Sequence, residues 1–194
     1  MGRQSHTRHL DLWMNGQHVG VWSRYAVRET LTYAKEWFDA PEGRPLSLSL
    51  PFQPGNLHHQ GDAVRNYFSN LLPDSQPILQ RLALRFKTGS TDAFDLLGEI
   101  GRDCVGALQI VPQGQDPGDP FAIEGVRLNE TGVAAEIAAA IGPGGRVGRG
   151  DESRDFRISI AGAQEKTALL KMGRYWMRPT GATPTTHILK LPLG

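Results

Sequence analysis

The sequence predicts an α+β fold: a β-rich N-terminal unit with short helices, followed by further antiparallel β hairpins. Three features carry that reading. Leu10 to Trp22 alternates apolar and polar residues about Asn15-Gly16, Asp62 to Ile100 carries apolar residues at helical spacing, and the chain from Phe156 onward returns to short apolar runs broken by turns. Strands, then helices, then strands again is the order of an α+β chain.

Taken in order, the elements follow from local chemistry. Asn-Gly between alternating segments is a strong two-residue hairpin signal, so Leu10 to Trp22 opens the chain as a β-hairpin. Leu31 to Trp37 reads as a further strand. Leu46, Leu48 and Leu50 alternate with Ser47 and Ser49 between Pro45 and Pro51, the pattern of a half-buried strand. Asp62 then caps a helix with Val64, Tyr67, Phe68, Leu71 and Leu72 along one side, and Pro73 stops it. Ser75 caps a second helix bearing Ile78, Leu82 and Phe86. A third runs from Asp92 to Ile100 and ends at Gly101, read as a left-handed terminus. Val105 to Val111 is an apolar strand, which closes a first unit over residues 1–111.

Residues 112–120, PQGQDPGDP, have the composition of a linker. Residues 121–194 form a second unit. Ala134 to Ile141 is its helix, closed by Gly142. Residues 142–150, GPGGRVGRG, read as a glycine-rich connector in which Arg146 and Arg149 are the only hint of anion contact. Strands follow at 156–160, 167–172, 175–178 and 187–191, with Gly173-Arg174 as a tight turn.

The bulk composition excludes several classes. The 194 residues hold 21 Lys and Arg against 20 Asp and Glu, a net charge of +1, without the global positive field of a nucleic-acid binder. The single cysteine, Cys104, leaves no internal disulfide and reads as a small buried hydrophobe, since no histidine lies near it in sequence. No apolar run approaches the roughly 18 residues of a membrane span, and the first ten residues lack a signal-peptide core, so the chain reads as cytoplasmic. His6, His9 and His58-His59 lack companion ligands at metal spacing, and no metal site is expected from them. Asp74 and Asp103 read as local caps or pairs.

The chemistry concentrates in residues 156–166, FRISIAGAQEK, and in the HILK that ends at Lys190. Small residues about Gly162 let backbone N–H groups approach an anion, and a lysine on a neighbouring strand adds a point charge for phosphate oxygens. Ala161, Gly162, Ala163, Gln164, Glu165, Lys166 and Lys190 are therefore the candidate nucleotide-phosphate contacts, with Ser159 as a candidate modification site beside them. The same residues also suit an ordinary turn and a solvent-facing lysine, and spacing does not separate the two readings. The run matches neither the Walker loop nor GxGxxG.

Longer motifs carry a resemblance. RPLSLSLPFQPG (44–55), NYFSNLLPDS (66–75), FDLLGEIGRDCVGAL (94–108), DFRISIAGAQEKTALL (155–170) and PTGATPTTHILKLPLG (179–194) resemble, in order and over nearly the whole chain, the HipA family of bacterial serine/threonine protein kinase toxins. The resemblance implies that the second unit is the start of a kinase-like N-lobe. Ala161 to Lys166 would line the ATP phosphates, Lys190 would be the phosphate-binding lysine, and Ser159 would be the autophosphorylated serine whose modification switches the kinase off. It also implies ATP and Mg²⁺ as cofactors, glutamyl-tRNA synthetase as the typical substrate, and growth arrest and persistence as the outcome. A HipB-like helix-turn-helix antitoxin would be the partner, with DNA contacted mainly through it.

The family pattern is matched only in part. In such kinases the catalytic aspartate and the Mg²⁺ ligands lie in a helical C-terminal lobe that these residues do not include, so the chain alone is expected to be inactive and to expose apolar surface that favours association. The alternative is a free-standing regulatory module that restrains a partner kinase.

Overall fold

The computed structural model describes residues 8–104, 106–141 and 166–190. Asn15 and Gly16 both take positive φ, 50° and 78°, as a two-residue hairpin turn of matching twist requires. They join β1 (Arg8–Met14) to β2 (Gln17–Tyr25), with Leu10 opposite Trp22 and Met14 opposite Gln17. β3 (Arg28–Tyr33) continues the meander, and the two-residue β4 (His59–Gln60) lies on its far side. β5 (Leu108–Pro112) returns to pair with β1, giving the antiparallel order β4-β3-β2-β1-β5.

Three helices cover one face of this sheet: α2 (Asp62–Ser69), α3 (Gln76–Phe86) and α4 (Ala93–Ile100). Trp22 projects from β2 into the core, stacks on Phe68 of α2 at 3.7 Å and 7°, and meets Phe94 of α4 edge-on at 4.7 Å. All three rings are fully buried, with Leu12, Leu31, Leu96, Leu97 and Ile100 around them. The rim of the same region is polar. Arg8 and Arg24 both reach Asp95 Oδ1 at 2.5 Å, while Ser90 Oγ donates to its other oxygen at 2.6 Å. Two guanidiniums and a hydroxyl thus neutralise a carboxylate that burial would otherwise penalise.

The structure corrects several expectations. Residues 46–50 are turns, not a strand: Leu50 N–H donates to Ser47 O at 3.0 Å, and Ser47 and Ser49 hydroxyls lie 2.9 Å apart. The segment is pinned by a tertiary contact, because Tyr33 Oη donates to Leu50 O and accepts from Leu46 N–H. Leu50 is buried, whereas Leu48 is 97% exposed. Leu48→Asp is accordingly expected to change the unfolding free energy by no more than about 0.5 kcal/mol in a urea titration; a loss above about 1 kcal/mol would mean that the side chain is packed after all.

Only the first part of 31–37 is strand, since the chain turns at Ala34 into α1 (Lys35–Asp39), where Trp37 Nε1 donates to Arg44 O at 2.9 Å. Asp62 is the first helical residue, preceded by Gly61 at the cap. Gly101 does close α4, but with φ of −78° rather than a left-handed value. Its requirement is space, because a Cβ there would stand 2.4 Å from Leu97 O and 2.7 Å from Ile110 Cβ. The strand expected from Val105 begins at Leu108, and α5 (Glu130–Ile141) starts before Ala134.

The second sheet has the order β6-β8-β7-β9, all antiparallel: β6 (Gly125–Leu128), β7 (Lys166–Met172), β8 (Tyr175–Pro179) and β9 (His187–Lys190). β6 was not anticipated. Gly173, with φ of 56°, makes the β7–β8 turn. α5 is joined to the sheet by Arg178 Nη1, which donates to Glu136 at 3.1 Å. Residues 113–124 connect the sheets through turns in which Asp116 and Asp119 accept backbone N–H groups of Gly118 and Phe121. Arg102 and Gln109 also hold this stretch, to Asp116 O at 2.9 Å and Pro117 O at 3.3 Å respectively. The expected strand at 156–160 and the connector at 142–150 lie outside the described residues.

Candidate functional site

The antiparallel register of β7 and β9 sets two lysines directly opposite each other: Lys166 faces Lys190, two residues from the pair Ala168 and Ile188 on the same face. Like charges across a strand pair are unfavourable without a counter-ion. The effect shows on Lys166, whose ammonium is held below the usual lysine range first by partial burial and then by the Lys190 charge, while the Asp74 carboxylate acts in the opposite sense. Lys190 is exposed. Two lysines directly opposite each other across a strand pair are suited to a ligand with several anionic oxygens.

The loop before β9 is held by its threonines. Thr183 Oγ1 accepts the Glu124 N–H at 2.7 Å and donates to Ala122 O at 3.1 Å. Thr186 Oγ1 accepts the Lys171 N–H at 2.8 Å, and its own N–H donates to Leu169 O at 3.1 Å. Thr185 Oγ1 reaches back to the first unit and donates to Asp103 Oδ2 at 3.3 Å. Burial pushes the Asp103 carboxyl up to about 6, against the smaller opposing effect of hydrogen bonds from Thr185. Asp103 is thus tied to a residue far along the chain, and the local-pair expectation is corrected. Asp74, likewise, acts on Lys166 of the other sheet.

Of the residues singled out from sequence, Lys166 and Lys190 are brought together. Ser159, Ala161, Gly162, Ala163, Gln164 and Glu165 lie outside the described residues. Cys104 is buried and donates to Gly101 O at 3.3 Å, and burial raises its thiol pKa, so it is not poised as a nucleophile. His59 is buried and bonded to Pro51 O at 2.7 Å. Among the described residues, no group of three or more His, Cys, Asp or Glu side chains is placed to hold a metal ion. Nor, among them, is any helix long and apolar enough to cross a membrane.

A second surface escaped the sequence reading. Arg127 lies 3.2 Å over the Tyr175 ring, Arg174 flanks the same ring at 5.2 Å and Lys171 sits 4.9 Å over Trp176. Together with the start of α5, Arg127, Arg174, Tyr175 and Trp176 line an open cavity of about 710 Å³. Its signal in sequence was Arg174 beside Tyr175 and Trp176, which alone does not distinguish a site from a solvated strand.

Two antiparallel sheets, the first packed under helices and the second carrying Lys166 opposite Lys190, define a mixed α+β chain. The HipA N-terminal domain family matches residues 10–111, and the chain belongs to the HipA family. Among curated relatives, a Sinorhizobium fredii protein named "Putative kinase Y4mE" is 31% identical over 192 residues, covering 96% of this chain and 44% of the relative. The serine/threonine-protein kinase toxin HipA of Shewanella oneidensis is 26% identical, over 93% of this chain and 39% of its own length. A solved complex of the Shewanella oneidensis HipA and HipB proteins with operator DNA includes a chain that matches with a TM-score of 0.65 at 24% identity, over 92% of this chain and 39% of that one. The chain therefore spans about two fifths of the length of these relatives.

Proposed function

We propose that this chain is the N-terminal portion of a HipA-like toxin, a serine/threonine protein kinase, and that it contributes the phosphate-holding half of the ATP site. The observation that carries the reading is the cross-strand placement of Lys166 against Lys190 in a chain of this family. Residues 1–111 form the first unit, 112–120 the link and 121–194 the nucleotide-binding unit. Lys190, with Lys166 opposite it, contacts the α- and β-phosphate oxygens, and Ala161 to Lys166 line the ATP phosphates as in the family.

ATP supplies the transferable phosphoryl group, and Mg²⁺ offsets its charge. The Mg²⁺ ligands and the aspartate that positions the acceptor hydroxyl belong to a C-terminal lobe. Ser159 is the residue whose autophosphorylation switches such kinases off, and the nearly two negative charges it adds oppose ATP by repulsion and by desolvation cost. The substrate is a translation component, a glutamyl-tRNA synthetase by analogy with the family, and the partner is a HipB-like helix-turn-helix antitoxin through which DNA is reached.

The purified 194-residue chain, incubated with radiolabelled ATP, Mg²⁺ and glutamyl-tRNA synthetase, is expected to transfer no label. Transfer by this chain alone would overturn the division of labour between the lobes.

A further inference from the structure

The open cavity of about 710 Å³ between β6, the β7–β8 turn and the start of α5 is built by the register of the second sheet. Arg127 pairs with Met177, whose neighbour on the same face is Tyr175. The arginine therefore lies diagonally across the two strands, with its guanidinium 3.2 Å over the Tyr175 ring. Arg174, on the turn, flanks that ring at 5.2 Å, and its Nε donates to Tyr175 Oη at 3.0 Å. Trp176, opposite Leu128, adds a second ring to the wall.

The two arginines are exposed, and neither forms an ion pair with a carboxylate among the described residues. Arg178 on the same strand differs, since it donates to Glu136 at 3.1 Å. Arg127 and Arg174 are nevertheless held in place, one by the plane of Tyr175 and the other by its hydroxyl. Their remaining N–H donors are thus oriented in advance, which lowers the entropy lost when a ligand binds. A guanidinium fork matches the oxygens of a phosphate group, and the volume lies within the range of about 300–1,000 Å³ usual for small-molecule sites. Glu130 also lines the cavity, so two positive charges stand against one negative. The helix end is not itself the attraction, because Asn129 Oδ1 already accepts the Gly132 N–H at 2.8 Å.

We propose that this cavity is a second anion site, in which Arg127 and Arg174 hold the oxygens of a phosphate group beside Tyr175 and Trp176. Tyr175 is its positioning residue. The site lies well away from the lysine pair: Tyr175 is opposite Met172, at the far end of β7 from Lys166, roughly 20 Å along the strand. One phosphate group cannot reach both places, and the inference does not depend on the reading of Lys166 and Lys190.

The test is a titration of the isotopically labelled 194-residue chain at low salt with inorganic phosphate and, separately, with adenosine 5′-monophosphate. Arginine Nε–H, tryptophan indole and backbone amide shifts locate the binding. The Arg127 and Arg174 signals are expected to move saturably. Arg127→Ala is expected to weaken this binding about ten-fold or more, and Arg127→Lys, which keeps the charge without the fork, about five-fold. Glu130→Gln, which removes the opposing charge, is expected to strengthen it about three-fold. Arg174→Gln carries the same expectation as Arg127→Ala and replaces it if that variant does not fold. Tighter binding of the nucleotide than of phosphate supports the site and assigns it a nucleotide, whereas equal binding supports it as a site for a free phosphate group. Shifts confined to Lys166, Lys190 and their neighbours overturn the inference while leaving the lysine pair as a phosphate site. Unchanged affinity in both Arg127→Ala and Arg174→Gln, or no saturable shift at either arginine, also overturns it.

Discussion

Phe68→Ala is expected to lower the free energy of unfolding by about 3–5 kcal/mol. Phe68 is fully buried and lies flat against Trp22, so truncation removes apolar contact on both rings at once. The surroundings are poorly able to collapse into the space. Trp22 is fixed on β2 between two paired strands, and Phe94 closes its other side. A cavity in such a setting retains most of its cost. Urea unfolding followed by tryptophan fluorescence measures the effect directly, and a loss below about 1 kcal/mol would show that the three rings are not the mechanical centre of the first sheet.

Asp103→Asn is expected to act in the opposite direction, and only above acid pH. The carboxyl titrates near 6 in the folded chain against an ordinary value of 3.8, because burial disfavours its charge. Below the unfolded value both states hold the proton and there is no penalty. As pH rises from about 4 through 6 the unfolded chain releases its proton first, and folding is penalised, by about 2–3 kcal/mol once both are ionised. Asparagine presents the same carbonyl oxygen to Thr185 without the charge. The variant should therefore be more stable than the natural chain by about 2 kcal/mol at pH 8, with the gain shrinking towards zero near pH 4. A difference that is the same at both pH values would show that ionisation of Asp103 has no part in it.

How far the sequence could be read depended on whether the determinants were local. Asn15-Gly16 was legible because two successive positive φ angles are a local demand that few residue pairs meet. The helices α2, α3 and α4 were legible from period and punctuation, although α2 ends at Ser69, three residues before the Leu72 that its apolar stripe reached. The segment 46–50 misled because its alternation of Leu and Ser mimics a strand, whereas its conformation is dictated by the hydroxyl of Tyr33 on another element. β6 was missed for a related reason. Its four residues, Gly125–Leu128, become a strand only through pairing with β8, some fifty positions later.

The same rule governs the site. Lys166 and Lys190 each drew attention from the residues around them, but that they stand face to face follows from the β7–β9 register. The Asp103–Thr185 bond spans 82 positions and joins two residue types that are unremarked in almost any sequence. Nothing near Asp103 in the chain signals it.

The order of the first sheet also bears on how the chain is made. β1, made before the other strands of this sheet, ends up inside it, with β2 on one side and β5 on the other. Its second partner begins only at Leu108. At the usual pace of about 5–20 residues per second, several seconds pass in which β1 has one open edge. An unpaired edge is a template for another chain, so the nascent hairpin is exposed to mispairing until the three helices have formed and β5 emerges. The slowest step in the folding of this unit should be the docking of that late strand, whose contacts span about a hundred residues of sequence.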